Sequence, residues 1–218
     1  MVLEVKNLQE AIKELRSKSK KRNFSQSVEL VINLRDVDVK KPEGRIQEVV
    51  ELPHSVGKNV GVCVIATGDL ALRARRAGAD LVLEREDLER LAGDKKQQRQ
   101  TAKEASFFVA EAPLMPLVGR VLGPILGPRG KMPIPVPPTV DIEDVIGRQR
   151  RMTMVRARGQ PTLHCRVGTE DMSDQDLLDN VQAVVGRVER RLRRGMMNID
   201  SVYLKLSMGP PIKVSIQK

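Results

Sequence analysis

The side chains able to do covalent or metal chemistry are few: two cysteines, Cys63 and Cys165, and two histidines, His54 and His164. No C-x-x-C or H-x-x-x-H spacing links them, so they offer no metal site. Cys63 lies inside an apolar run, and Cys165 points away from its neighbour His164 along an extended segment, so no nucleophile–base pair is read from them. Gly127-Pro128-Arg129-Gly130-Lys131-Met132 invites comparison with a phosphate loop. That motif needs a glycine five residues before the Gly-Lys pair and a Ser or Thr after it. Ile125 and Met132 stand there, and Pro124 and Pro128 remove backbone donors. Nucleotide binding at this loop is excluded, leaving Arg129 and Lys131 as exposed cations that either touch phosphate or decorate a shaped loop. No catalytic residue, cofactor or metal follows.

The chemistry that remains is electrostatic. The 218-residue chain carries 38 Lys+Arg against 28 Asp+Glu, a net charge of +10. Such an excess suits a polyanionic partner, because cations that neutralise phosphates release counterions. Lys18 to Arg22 form a basic run followed closely by Phe24. This run could set phosphate contacts beside a stacking or wedge contact, or Phe24 could pack in the core. Arg187, Arg190, Arg191, Arg193 and Arg194 end a long helical stretch, where helix dipole and water account for most of them. With no Trp, Tyr203 alone and three Phe, the chain offers at most one or two stacking platforms. Shape, phosphate and backbone contacts must then carry RNA affinity.

The elements that hold these residues differ in style along the chain. Residues 7–18 place Leu8, Ala11, Ile12 and Leu15 at helical spacing. Residues 27–39 alternate, with Val28, Leu30, Ile32 and Leu34 against Ser27, Glu29, Asn33 and Arg35, and predict a strand with one buried face; a second runs from Ile46 to Leu52. Residues 53–58 read as a linker. The middle differs: near-continuous apolar strands at 60–67, 77–83 and 106–112 alternate with helices at 69–77, 84–92 and 95–104, the pattern of a parallel sheet buried on both sides. The proline-rich stretch 119–138 predicts an ordered surface loop without regular structure, followed by a short helix over 139–149. Alternation then returns at 153–158 and 162–167. A helix beginning at Ser173 puts Leu177, Leu178, Val181, Val184, Val185, Val188 and Leu192 on one face, and strands follow at 201–207 and 212–216.

The simplest architecture is mixed α/β and α+β with two domains. Residues 1–58 and 153–218 form a split two-layer α+β domain, an antiparallel sheet with two helices on one face. Residues 59–152 form an inserted α/β domain whose small doubly wound sheet is covered on both sides. The N-terminus lacks the apolar core of a signal peptide, no stretch is long enough to span a bilayer, and two unpaired cysteines fit a reducing cytoplasm.

Several segments together carry a family resemblance. Arg22-Asn-Phe-Ser-Gln-Ser-Val-Glu-Leu30, Leu52-Pro-His54, Leu126-Gly-Pro-Arg-Gly-Lys-Met-Pro133, Leu163-His-Cys-Arg-Val-Gly168 and Ser201-Val-Tyr-Leu-Lys-Leu-Ser-Met-Gly-Pro210 resemble, in order, the signature segments of the large-subunit ribosomal protein L-one family, most nearly its archaeal branch. The resemblance implies a cytoplasmic, ribosome-associated, non-enzymatic protein, a monomer when free, whose split domain grips large-subunit rRNA in the mobile stalk and whose inserted domain is a Rossmann-like three-layer α/β unit. It further implies contact with exit-site tRNA and repression of translation of its own mRNA. By match to the family's segments it assigns RNA contacts to Phe24, Ser27 and Glu29, to His164 and Gly168, and to Ser201, Ser207, Met208, Gly209 and Pro210. Lys20, Lys21 and Arg22 from the basic run, and Tyr203 and Lys205 on the same strand face as Ser201, complete the set. Ser207 stands where the family usually has Thr, Asn23 where it has a cation, and Thr169 where many members have Lys. An enzyme using the inserted domain for a small substrate or nucleotide is the alternative, with Gly68 after Thr67 as its only trace.

Overall fold

A computed structural model describes residues 4–39, 41, 44, 46–57, 60–157 and 159–215; the ends of the expected strand 212–216 and of the 153–158 strand lie outside them. The chain separates into two compact units, one holding the residues up to 58 and from 151 onward, the other residues 59–150.

The first unit is built on β1 (Ser27–Leu34), whose alternation buries Val28, Leu30, Ile32 and Leu34. Around it lie β2 (Gln47–Glu51), β7 (Met152–Ala157), β8 (Thr162–Thr169), β9 (Ile199–Leu206) and β10 (Ile212–Val214), in the order β10-β9-β1-β8-β7-β2. All pairings in this sheet are antiparallel. Two amphipathic helices, α1 (Val5–Lys18) and α8 (Asp174–Arg191), cover one face. Helix α1 buries Leu8, Ala11, Ile12 and Leu15, and α8 buries the apolar stripe from Leu177 to Val188. Ser173 caps α8, its hydroxyl accepting from the Asp176 N–H at 3.1 Å, which satisfies one of the helix's orphan donors.

Residues 53–57 are not a loose linker. Leu52 and Val56 are buried, and the fully buried Asn180 of α8 clamps the backbone of His54. Its carboxamide oxygen accepts from the His54 N–H at 3.0 Å and its Nδ2 donates to the His54 carbonyl at 3.1 Å. A third bond, 2.8 Å to the Val167 carbonyl, satisfies the strand where β8 bulges against β1 between Val28 and Glu29.

The second unit is a three-layer α/β structure, the class expected from its apolar strands. Its parallel sheet has the order β4-β3-β5-β6. Central β3 (Val62–Ile65) is wholly buried; β4 is Leu81–Leu83, β5 Phe107–Glu111 and β6 Ile134–Val136. Helices α2 (Gly68–Arg76) and α7 (Ile142–Arg150) pack Leu70, Ala71, Ile142 and Ile146 on one face. Helices α3 (Arg85–Leu91), α4 (Lys95–Glu104), α5 (Met115–Val121) and α6 (Gly123–Arg129) cover the other, around Phe108, Leu88 and Leu122.

The stretch 119–138 departs from expectation: it carries the end of α5, all of α6 and β6. Pro116 and Pro124 fall in the first turns of their helices, where no intrahelical donor is lost. Gly130, at φ +71°, ends α6 in the left-handed conformation. β6 is an edge strand, the position in a sheet that tolerates Pro135.

Candidate nucleic-acid interface

Helix α1 ends in a basic run, and Lys20, Lys21, Arg22 and Phe24 are all exposed. Phe24 keeps 51% of its surface in water, so the core reading of this residue fails. The chain then turns into β1 through Gln26, which is only 1% exposed. Its Nε2 donates to the Lys20 carbonyl at 3.3 Å and to Glu170 Oε2 at 3.1 Å, its N–H donates to Glu170 Oε1 at 3.0 Å, and its Oε1 accepts from the Met208 N–H at 3.1 Å. One buried carboxamide thus ties the basic run to the loop that follows β9.

That loop is fixed against β1. Ser207 donates its N–H to the Ser27 carbonyl at 3.1 Å, and its hydroxyl accepts from the Ser27 N–H at 3.2 Å. Lys205 Nζ reaches the Ser207 carbonyl at 3.2 Å. A Cβ on Gly209 would stand 2.8 Å from the Ser19 hydroxyl, so glycine there lets the loop lie on the end of α1. Met208 is left 61% exposed. Two bare apolar side chains, Phe24 and Met208, therefore flank a hydrogen-bonded knot beside exposed cations, with Ser27, Ser207, Gly209 and the exposed Pro210 in the same place.

A second group lies on the sheet face opposite α1 and α8. β-Register puts Lys205 and Arg166 on either side of Glu29, and Tyr203 and His164 on either side of Val31. The latter row continues through Lys213 at one end and Arg156 and Gln47 at the other, crossing all six strands. Burial pulls the pKa of Arg166 below the usual guanidinium range. This open face brings Glu29, His164, Tyr203 and Lys205 together.

Two expected contacts are buried: Ser201 on this same face, one row along from Tyr203, and Gly168 on the opposite one. Ser201 is 5% exposed, and its hydroxyl accepts from Asn33 Nδ2 at 3.0 Å within a ladder that Thr162 completes. Gly168 is buried on the helix side, where a Cβ would meet Leu177 Cδ2 at 2.5 Å and Met172 Sδ at 2.7 Å; packing room explains its lack of a side chain. Conversely, Gln26, Glu170, Arg166, Arg156 and Lys213 were missed. Following the two-residue alternation through β7, β8 and β10 would have found the last three, whereas no spacing rule marks Gln26.

Other charged residues are engaged within the fold. Lys131 is no exposed loop cation: its ammonium donates to the carbonyls of Ala102 at 2.9 Å and Ala105 at 2.7 Å, closing the C-terminal end of α4, and burial pulls its pKa down. Arg187 and Arg191, first read as serving the helix dipole, both pair with Glu48, at 3.0 and 3.2 Å. At the point where a dinucleotide fold presents its phosphate site, the Thr67 N–H and hydroxyl donate to Glu111 Oε2 at 3.0 and 2.9 Å. The protein's own carboxylate occupies the turn before α2.

Cys63 and Cys165 are buried, and burial pushes both thiols up to about 12. Neutral thiols are poor nucleophiles. The native protein should therefore leave a thiol-reactive chromophore unreacted at pH 8, with both cysteines titrating only after denaturation; rapid labelling of either in the native state would contradict their placement. Among the described residues no group of His, Cys, Asp and Glu could hold a metal ion, and no described helix is long and apolar enough to cross a membrane.

Residues 12–210 match the model of a family described as the ribosomal protein L1p/L10e family. Curated proteins named large ribosomal subunit protein uL1 are similar over nearly the whole chain. The protein from Thermofilum pendens is 50% identical over 211 residues, 96% of this chain and 93% of its own. That from Methanothermobacter thermautotrophicus is 46% identical over 207 residues, covering 95% and 98%. That from Pyrococcus horikoshii is 45% identical over 215 residues, 98% of each chain.

Proposed function

The chain belongs to the ribosomal protein L1p/L10e family, and from that premise we propose that its first unit grips one folded element of large-subunit rRNA through the knot between the end of α1 and the loop after β9. It is a structural protein of the large ribosomal subunit, of a non-enzymatic family. The observation that supports the site is the pair of exposed apolar side chains, Phe24 and Met208, held on a hydrogen-bonded knot beside Lys20, Lys21 and Arg22. Folded RNA is recognised by shape, stacking on unpaired bases and 2′-OH contacts more than by groove reading. Phe24 and Met208 supply the apolar surface and the cations the phosphate contacts. The exposed Pro210 and the backbone at Gly209 allow close approach. Glu29 and Tyr203 on the open face offer an acceptor and a hydroxyl to the same RNA, with Lys205, Arg166 and His164 around them. Contact with exit-site tRNA, repression of translation of the chain's own mRNA through a similar RNA fold, and a monomeric free state belong to the same reading. The enzyme alternative loses its one trace, because the Gly68 turn is filled by Glu111.

Filter binding to an isolated stalk fragment of large-subunit rRNA tests the site. Phe24→Ala should weaken binding by roughly 10- to 100-fold, the scale of one lost stacking contact, with an unchanged melting temperature because the ring is half in water. Ser207→Val, which takes the acceptor from the Ser27 N–H, should weaken it about 10-fold. Wild-type affinity in both variants would remove the site from this loop.

A further inference from the structure

We propose that the second unit carries its own contact for an RNA phosphate backbone, a ridge of four cations along α4: Lys95, Lys96, Arg99 and Lys103. The proposal rests on the ribosomal reading above, which puts RNA around the protein. All four side chains are exposed. At about 100° per residue they occupy a single arc about 100° wide. Gln98, Thr101 and Ala102 are buried on another side. The helix's one acid, Glu104, lies on the far flank, where it accepts from Gln100 Nε2 at 2.9 Å. Lys95, Arg99 and Lys103 succeed one another at about 6 Å along the axis, making a line of charge.

Five of the unit's other arginines, unlike the exposed Arg76, Arg120 and Arg148, are held by acids instead. Arg73 pairs with Asp69, Arg75 with Glu84, Arg85 with Glu89, Arg90 with Glu86 and Arg150 with Asp80. Among the described residues the four α4 cations have no such partner. Their positions also work against the helix. Two lysines sit in its first turn, where the dipole disfavours positive charge, and the capping Asp94 carboxylate beside them is engaged by the Lys96 and Gln97 N–H groups at 2.8 and 3.1 Å. Lys95–Arg99 and Arg99–Lys103 are like-charge i,i+4 pairs, which repel. Fold stability does not account for these four residues, whereas a polyanion laid along the ridge satisfies them together. Where a sequence breaks local rules without a gain in the fold, function is the usual reason. The partner that fits is a run of phosphates, read without sequence preference. The Lys131 ammonium on the Ala102 and Ala105 carbonyls fixes the C-terminal end of the same helix.

The test uses the full chain and an unrelated duplex RNA as probe. A triple variant, Lys96→Gln with Arg99→Gln and Lys103→Gln, is set against a charge-matched control, Arg75→Gln with Arg85→Gln and Arg90→Gln. At about 0.1 M salt the α4 variant should bind the duplex about ten-fold more weakly, with its log affinity against log salt slope shallower by about 2 to 3. The control should keep the wild-type slope, and the α4 variant should keep or raise the melting temperature. An α4 variant that binds like wild type, or two triples that weaken equally, overturns the ridge. Because Phe24→Ala leaves α4 intact, failure of the first unit's site would show on the stalk fragment alone, with the duplex measurement still decisive for the ridge.

Discussion

Gln26→Ala should cost the protein both stability and the rRNA binding proposed for the knot. The carboxamide is buried and bonds the Lys20 carbonyl, the Glu170 carboxylate and the Met208 N–H at once. Its removal leaves three polar groups without that partner, one of them a carboxylate, at about 1–3 kcal/mol for each that stays buried and unmet. We expect the unfolding free energy to fall by about 2–4 kcal/mol, as measured by urea denaturation. We also expect affinity for the stalk fragment to drop by at least as much as in Phe24→Ala, roughly 30-fold or more, since Met208 and the basic run lose their common anchor. Gln26 is a positioning residue, so the two readouts must move together. A protein that melts earlier yet binds the stalk fragment like wild type would reduce Gln26 to a structural role and loosen the account of the knot.

Asn180→Leu should give the largest loss of stability of any single polar substitution in the first unit. Asn180 is fully buried and makes three bonds, two to the His54 backbone and one to the Val167 carbonyl in the β8 bulge. Leucine fills a similar volume but answers none of them. Three stranded backbone groups at about 1–3 kcal/mol each give an expected loss of about 4 kcal/mol. For a chain of this size that lowers the melting temperature by roughly 10 °C. The effect on RNA should stay small, because neither His54 nor Val167 touches the knot. A change of under 1 kcal/mol would mean that segment 53–57 is not held by α8.

Much of the fold could be read from periodicity. The alternation in β1 and β9 and the stripe on α8 are each long enough to determine which face is buried, and the apolar runs at β3 and β5 announced a parallel sheet covered on both sides. The proline-rich stretch misled because composition counts prolines without their positions: at a helix's first turn or on an edge strand a proline costs little, and Pro128 falls inside α6 one residue before its end. The candidate site divides in the same way. Phe24, Ser207 and Met208 stand in recognisable segments, and the exposure of Phe24 and Met208 agrees with the role proposed for them. Gln26 could not be found, since a buried polar residue in a short loop has no spacing signature; only its partners reveal it. Lys131, Arg187 and Arg191 were misread for a related reason. A charge looks solvated in sequence until the chain brings a carbonyl or a carboxylate to it from many residues away. Ser201 keeps the face of Tyr203 and Lys205 but is buried in a side-chain ladder with Asn33 and Thr162, and the bulge turns Gly168 beneath α8.

The most direct test of the central claim is a competition titration of the wild-type chain on a labelled stalk fragment of large-subunit rRNA, against unlabelled stalk fragment and unlabelled unrelated RNA of equal length, at several salt concentrations. The account predicts that the stalk fragment competes at least about 1,000-fold better, with the preference widening as salt suppresses phosphate-only contacts. Equal competition by the two RNAs, collapsing together as salt rises, would mean that the net charge binds RNA and the knot around Phe24, Gln26 and Met208 recognises nothing.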